Sequence, residues 1–488
     1  MPGIEIHVPS RRPRRWQVEI CERLAAVGHA VTVRLVEEPR AAWPVIAAAS
    51  LAFEWRMAGR RSEPLFAVRA PIAASGNDRP VDLVVDLAGQ RKNAAATTFA
   101  LAASGRSFEA DAAATLAAGD LPQITLLRDG MPVAHAAPMV DTPSSVALAL
   151  EDVLARAVTL VVAQVAALDP AADVVAPETA VPGQGPAVSS FALQYLSHGA
   201  PRLAREVLRR ARYRQAHWRV GYRFHEGPGV AETGALGTGW QVLPDDGTRF
   251  FADPFAFNDG NGFHLFVEDY PHATGKAVIS HVAFDGNGRT SQPRPVLEEA
   301  HHLSYPQVFA RDGAIWMLPE ASQSRRLTLY RADPFPDRWR PAATLVEDRE
   351  ISDATLLEHD GLLWLVASER DGFGSTSDTM VVFHADRLEG PWHAHPANPI
   401  LIDRRRARPG GAFVMANGRL ALPVQDGTLG YGGGLGLAAL ERLDTQAVRF
   451  GKPLAIGTAG DWPHPMVHTL NRAGPLEVID GIAPMRKR

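Results

Sequence analysis

Asp253-Pro-Phe-Ala-Phe-Asn-Asp-Gly260, followed by an aromatic run into Val267-Glu268-Asp269, reads as a strand, a tight turn and a second strand closed by acidic residues. The unit returns as Tyr305-Pro-Gln-Val-Phe-Ala-Arg-Asp-Gly313 with IWML and Pro319-Glu320. It returns again as Asp353-Ala-Thr-Leu-Leu-Glu-His-Asp-Gly361 with LWLVA and Ser368-Glu369. A fourth copy runs from Arg408-Pro-Gly-Gly-Ala-Phe-Val-Met-Ala-Asn-Gly418 through LALPV to Gln425-Asp426. A weaker fifth runs from His464-Pro-Met-Val-His468 through LEVI to Asp480-Gly481. Asp-Gly and Asn-Gly supply the positive φ angles that a two-residue hairpin demands. A repeat of about 50 residues built from hairpins predicts propeller blades, and five copies predict a five-bladed β-propeller over 217–488. Trp218–Phe224 is expected to complete the last blade, with Arg370–Thr379 and Thr428–Gly434 as rim loops.

Upstream the chain changes character. Residues 1–168 are rich in Ala and Val and alternate strand-like and helix-like segments. Ile4–Val8, Ala30–Val36 and Val81–Leu87 read as strands. Trp16–Val27 has helical spacing and is stopped by Gly28; Ala41–Arg56 and Ser144–Leu168 also read as helices. Ile124–Leu127 and Val133–Ala136 flank Asp129-Gly130 as a hairpin. The alternation predicts an α/β domain of Rossmann type with a parallel sheet. The turn after the first strand (Pro9–Arg15) lacks the G-x-G-x-x-G signature, so no dinucleotide is expected. Between Asp169 and Ser190 a Pro/Ala/Gly stretch reads as a linker, and residues 169–216 join the two parts.

Composition narrows the function. In 488 residues, 46% are hydrophobic and 21% charged, with 50 Lys and Arg against 54 Asp and Glu; the net charge of −4 gives no basic field for nucleic acid. The single cysteine, Cys21, fits a reducing compartment. The N-terminal text has no apolar signal core, and the longest apolar run, near Ala157–Leu168, is far short of a spanning helix. A cytoplasmic protein, touching a membrane at most from one side, is therefore expected. The segment Pro201–Arg219 carries seven arginines and one acid, Glu206, with Leu203, Val207 and Leu208 at helical spacing. It reads either as a solvated helix or as a basic amphipathic surface for anionic lipid.

The segments RFFADPF (249–255), HLSYPQVF (302–309), LPEAS (318–322), LYRADPFPDRW (329–339), LEGPWHAHPANP (388–399) and RRARPGGAF (405–413) carry a resemblance. They are similar to the N-terminal region of plant glucosamine inositolphosphorylceramide transferases and their bacterial relatives, and the repeat resembles the propellers of glycoside hydrolase families 43 and 32. RRWQVEICERL and VDLVVDLAG resemble the formyltransferase-like region of the bacterial relatives, without the His-Pro-Ser-Leu-Leu-Pro-like text of a true formyltransferase. The resemblance implies a base or nucleophile at Asp253 and a modulating acid at Asp353. The proton donor of the fourth blade is absent: Arg408 stands there. Glu320 is the candidate acid in its place, and Arg408 a candidate anion clamp. Glu268 and Asp426 end comparable strands, Tyr305 is a candidate sugar-stacking ring, and His302 neighbours it. The histidines match no zinc spacing, and no metal or cofactor is expected; His468 is either a core histidine or, by the resemblance, near an axial ion. Trp316, Trp339, Trp364 and Trp392 read as blade packing. Three functions follow: an enzyme acting on an envelope glycan or glycolipid, a glycan-binding module without turnover, or a sugar transferase whose N-terminal domain binds the donor.

Overall fold

The computed structural model describes residues 3–10, 12–37, 45–69, 81–89, 96–103, 107–167, 191–214 and 216–487. The expected linker between Asp169 and Ser190 lies outside them. The chain divides into two compact units, Met1–Arg209 with Asp371–Ser375, and Arg210–Arg370 with Thr376–Arg488.

The first unit is built on a six-stranded sheet. Its strands are β1 (Gly3–Pro9), β2 (Ala30–Val36), β3 (Leu83–Asp86), β4 (Thr97–Leu101), β5 (Ile124–Arg128) and β6 (Met131–Ala136), in the order β2-β1-β3-β4-β5-β6. The β1–β2, β1–β3 and β3–β4 pairs are parallel, whereas β4–β5 and β5–β6 are antiparallel. The sheet is thus mixed, not parallel throughout as the alternation predicted. The reason is local: Asp129 (φ 50°) and Gly130 (φ 84°) form the expected hairpin turn, and a turn this short can only join antiparallel strands.

Helix α1 (Arg15–Ala26) buries Trp16, Ile20 and Leu24 as its spacing predicts, and Gly28 follows at φ 94°. Its first turn is closed by Gln17, whose Oε1 accepts from the Arg14 amide at 2.9 Å. Helix α2 spans Val45–Met57 and α3 spans Phe108–Ala118, the latter capped by Ser107 and ended by Gly119 at φ 106°. Helix α4 (Val146–Ala166) is capped by Ser145 and is buried along most of its length. Strand β4 and helix α3 were not anticipated from the residues. Buried charges here are tied to backbone or ring partners. Glu54 accepts from Ser145 Oγ (2.6 Å), the Ala147 amide (3.0 Å) and Tyr195 OH (2.7 Å). Among the described residues no helix is long and apolar enough to cross a membrane.

The second unit is a five-bladed propeller of antiparallel sheets. Blade one comprises Arg249–Asn258, Phe263–Pro271, Val278–Ala283 and Arg294–Leu297; blade two comprises Ser304–Arg311, Ala314–Glu320, Arg326–Ala332 and Trp339–Glu347. Blade three begins with Glu350–His359, Leu362–Arg370 and Thr379–Ala385, and blade four with Val414–Ala416, Arg419–Gln425 and Leu435–Leu443. Blade five joins both ends of the unit: Val467–Ala473 and Leu476–Ile482 pair onward to Trp218–Phe224 and Gln241–Val242. The expected closing strand is therefore in place. Three hairpins have the left-handed pairs their sequences called for: Asp312/Gly313 (φ 52° and 70°), Asp360/Gly361 (49° and 77°) and Asn417/Gly418 (50° and 76°). The blades pack through interleaved apolar layers. Trp316, Leu318 and Leu329 meet Leu363 and Leu365, and Trp364 and Val366 meet Leu422 and Val424. Trp339 lies in the corresponding layer between blades one and two, and Trp392 packs against the layer between two and three.

Candidate active site

One local irregularity builds the site. In blade one the register runs Ala252↔Glu268 and resumes at Phe255↔Phe266, so Asp253 and Pro254 face a single residue. Blade two breaks between Ser304 and Gln307, blade three between Ser352 and Thr355, and blade five between Val467 and Leu470. Each is a β-bulge, a device that re-aims a side chain. Asp253, Tyr305 and Asp353 sit in these bulges at φ 47°, 46° and 49°, left-handed values that Asp tolerates in turns and that are costly for Tyr. Such strain costs about 1–3 kcal/mol per residue and persists only where the surroundings hold it. The holding contacts are present. The Gly411 amide donates to Tyr305 OH (2.7 Å), and Asn471 Nδ2 donates to the Pro254 carbonyl (2.8 Å) while its Oδ1 accepts from the Ala412 amide (2.8 Å).

Two linked clusters result. In the first, Arg408 forms a two-pronged pair with Asp353, Nε to Oδ2 at 2.6 Å and Nη2 to Oδ1 at 3.1 Å. Its Nη2 also reaches Glu320 Oε2 at 3.3 Å, and its Nη1 donates to Thr376 Oγ1 (3.0 Å) and Ser377 Oγ (3.2 Å). Gln425 Nε2 adds a bond to Asp353 Oδ2 at 2.7 Å, and Ser322 Oγ donates to Glu320 Oε1 at 2.9 Å. The guanidinium carbon lies 5.2 Å from the Tyr431 ring centre. In the second cluster, His468 stands between two acids, Nδ1 at 2.7 Å from Asp480 Oδ1 and Nε2 at 3.3 Å from Asp253 Oδ1. Asp480 Oδ2 accepts from the Asp253 amide at 2.9 Å, and Trp218 stacks on the imidazole at 4.0 Å.

Burial dominates the electrostatics. It pushes Asp253 well above the ordinary carboxylate range, and the negative charges of Glu268, Asp353 and Asp480 push the same way, with Arg408 opposing. Asp353 is raised to about 7: burial and Glu320 lift it, and the Arg408 pair pulls it down. Asp353 has a guanidinium and an amide of its own, whereas Asp253 has only the shared imidazole, so Asp253 is the group that keeps its proton. Arg408 loses hydration by burial, but Asp353, Tyr431 and Glu320 hold it firmly charged. Burial works against a charge on His302, yet its hydrogen bond to Glu268 raises it above an ordinary histidine.

The other sequence-derived residues distribute unevenly. Glu268 is buried and meets His302 Nε2 at 3.3 Å. Tyr305 has no exposed surface; its hydroxyl bonds Thr355 Oγ1 at 2.8 Å, and its ring packs edge-on to Phe255. Asp426 accepts from the Thr428 amide at 2.9 Å, capping the short turn Gly427–Leu429. Reading the residues alone passed over Asp480, Trp218 and Tyr431. Asp480 carried a signal, since it ends the second strand of its copy as Glu268 and Glu320 end theirs. The ligand atoms of Asp253, His468 and Asp480 lie within 4.8 Å of one another. Asp480 is engaged with protein partners in this cluster: its Oδ1 meets His468 Nδ1 and the Thr469 amide, and its Oδ2 accepts from the Asp253 amide.

Residues 243–451 match the family model for the N-terminal region of glucosamine inositolphosphorylceramide transferase 1. The propeller resembles that region. The transferase of this name from Arabidopsis thaliana is 32% identical over 206 residues, covering 41% of this chain and 27% of the plant protein. Its counterpart from Oryza sativa subsp. japonica is 34% identical over 201 residues, covering 40% and 27%. The chain thus spans about a quarter of the length of these relatives. The matched stretch contains the Arg408 cluster and Asp253, while His468 and Asp480 fall beyond it. Solved structures similar to part of the chain include an endo-1,4-β-xylanase from Bacteroides thetaiotaomicron (13% identity, TM-score 0.34, 49% of this chain and 93% of that one). An exo-β-1,3-galactanase from Phanerochaete chrysosporium aligns at 12% identity and TM-score 0.31, over 42% of this chain and 54% of that one.

Proposed function

We propose that the propeller axis is a carbohydrate-active centre that makes or breaks a glycosidic bond in a glycan or a lipid-linked sugar. The observation that carries this is the convergence of Asp253, Asp353, Glu320 and Arg408, all buried, from four different blades, with Asp253 and Asp353 held at left-handed backbone angles. Folding does not require such strain, and buried titratable groups with shifted ionisation mark working sites.

Glycosidic chemistry needs a proton donor and a carboxylate. The resemblance implies a base or nucleophile at Asp253. The charge balance favours its protonated form, so we assign it the donor role, with the Asp480–His468 pair orienting it; the proton it gives to the leaving oxygen is returned by the incoming water or sugar hydroxyl as the new bond forms. Asp353, held by Arg408 and Gln425, is the carboxylate that stabilises positive charge on the sugar ring. Glu320 would have to leave its pair with Arg408 to donate a proton. The fork of Arg408 faces Asp353, so an anionic substrate group would have to displace that carboxylate. Charge balancing therefore describes Arg408 better than an anion clamp.

A second reading, binding without turnover, is favoured by one observation: Arg408 stands where the resembled hydrolases place an acid. The transferase activity in the relatives' names is the likeness that supports sugar chemistry in either case. In the first unit, the order β2-β1-β3-β4 turns back between β1 and β3, which supports a Rossmann-type assignment with any ligand at the carboxyl ends of those strands. A thermal-shift screen of mono- and oligosaccharides tests the reading. Stabilisation by at least one sugar, reduced in Asp353→Asn, is expected; no shift with any sugar would count against it.

A further inference from the structure

Helix Ala200–Arg212 leaves its apolar side uncovered. At about 100° per residue, Ala200, Leu203, Ala204, Val207, Leu208 and Ala211 share one side, while Arg202, Arg205, Arg209 and Arg212 share the other. Arg202, from the polar side, is the residue that packs inward. Its Nη2 donates to the Leu116 carbonyl at 2.6 Å, at the C-terminal turn of α3, where the helix dipole favours a cation. None of the helix's residues is buried, and Val207 and Leu208 are 59% and 56% exposed. Arg205, Arg209 and Arg212 are exposed too, whereas a helix of a soluble protein normally buries its apolar side.

The exposed apolar side extends to neighbouring elements. Upstream of the helix, Phe191 and Tyr195 are buried and stacked, and Tyr195 OH bonds Glu54 of α2 at 2.7 Å. Between and beside these anchors, Leu193 and Leu196 are 70% and 69% exposed. Helix α2, on the other side of the Tyr195–Glu54 bond, leaves Phe53 and Met57 exposed as well. The helix itself is strongly basic: Ala200–Arg212 holds five arginines and one acid, Glu206, in a chain whose net charge is −4.

We propose that this face lies on an anionic lipid surface. The leucines, Val207, Phe53 and Met57 would enter the boundary between headgroups and acyl chains, and the exposed arginines of the helix, Arg205 and Arg212 among them, would flank them among the lipid phosphates. Few large apolar residues, many cations and a segregated face are the marks of a helix lying in a membrane interface. The charge decides between occupants. A second copy of this chain is net acidic only through dispersed residues and brings the same arginines, whereas an anionic leaflet is uniformly complementary. The surface does not depend on the axial chemistry proposed above.

Vesicle co-sedimentation of the full chain tests this, with phosphatidylcholine alone and with about 30% phosphatidylglycerol. The chain is expected to bind the anionic vesicles at about 50 mM salt, to ignore the neutral ones, and to release at about 500 mM. Val207→Asp with Leu208→Asp, both at exposed positions, should weaken binding at least about tenfold, and Arg205→Gln with Arg212→Gln about fivefold per arginine, with unchanged circular dichroism melts. Absence of binding to anionic vesicles at low salt would overturn the proposal. So would equal binding to neutral vesicles, full binding by the Val207/Leu208 variant, or a solution dimer that this variant dissolves.

Discussion

Arg408 is the residue on which the axial charges hang. It faces Asp353 with two prongs and reaches Glu320 with the same nitrogen. Removing one partner of a buried charge pair leaves the others uncompensated, at a cost of about 3–5 kcal/mol. Arg408→Ala should lower the stability of the propeller by that order in urea unfolding. Arg408→Lys should recover only part, because an ammonium restores the charge without the planar fork. Asp426 and Asp480 show where residue-level reading stops. Both stand toward the end of the second strand of their repeat copy, and their sequence settings are alike. The Asp426 side chain caps a turn, whereas the Asp480 side chain turns to His468 and the Asp253 amide. Nothing in the local text separates the two, since the difference is set by the blade that each one faces. Asp253, Asp353 and Arg408 were legible as candidates because of their places in the repeat, but their meeting depends on bulges that alternation patterns do not reveal.

Among the elements, hairpins were the most legible. Asp-Gly and Asn-Gly pairs need little context, because few other residues accept positive φ at both turn positions. Helix α3 was illegible for the opposite reason: its sequence FEADAAATLAA has almost no polar face, and most of it is buried, so helical periodicity has nothing to contrast. The most consequential element is the strand Trp218–Phe224. It supplies the third strand of blade five, places Val220 and Tyr222 in a layer with Phe251, Leu265 and Val478, and lays Trp218 on His468. A chain beginning at residue 244 should therefore lose cooperative unfolding, while one beginning at residue 210 should keep it. Calorimetric melts of the two chains check this, and cooperative unfolding of the shorter one would contradict the ring closure described here.

At the scale of the whole molecule, pH acts through buried groups in the second unit. Burial lowers His217, His272 and His281 to about 4, with neighbouring cations adding to the effect. In the unfolded chain these histidines titrate near 6.5. Between the two values the unfolded state binds more protons, so stability falls as the pH drops from about 6.5 toward about 4. The decline in melting temperature over that range should be smaller in His281→Asn than in the wild type. Asp353, raised to about 7, acts with the opposite sign: the folded state holds its proton above the unfolded value, and that contribution is lost as pH rises toward 7. The central claim is that Asp253 works as a proton-holding acid on a sugar substrate. Turnover of a panel of aryl glycosides, oligosaccharides and glycolipids by the wild type and Asp253→Asn, followed across pH, tests it most directly. Turnover should decline as the pH rises and drop by at least about a hundredfold in Asp253→Asn. Turnover that survives the substitution, or a wild type that acts on no sugar at any pH, would contradict it.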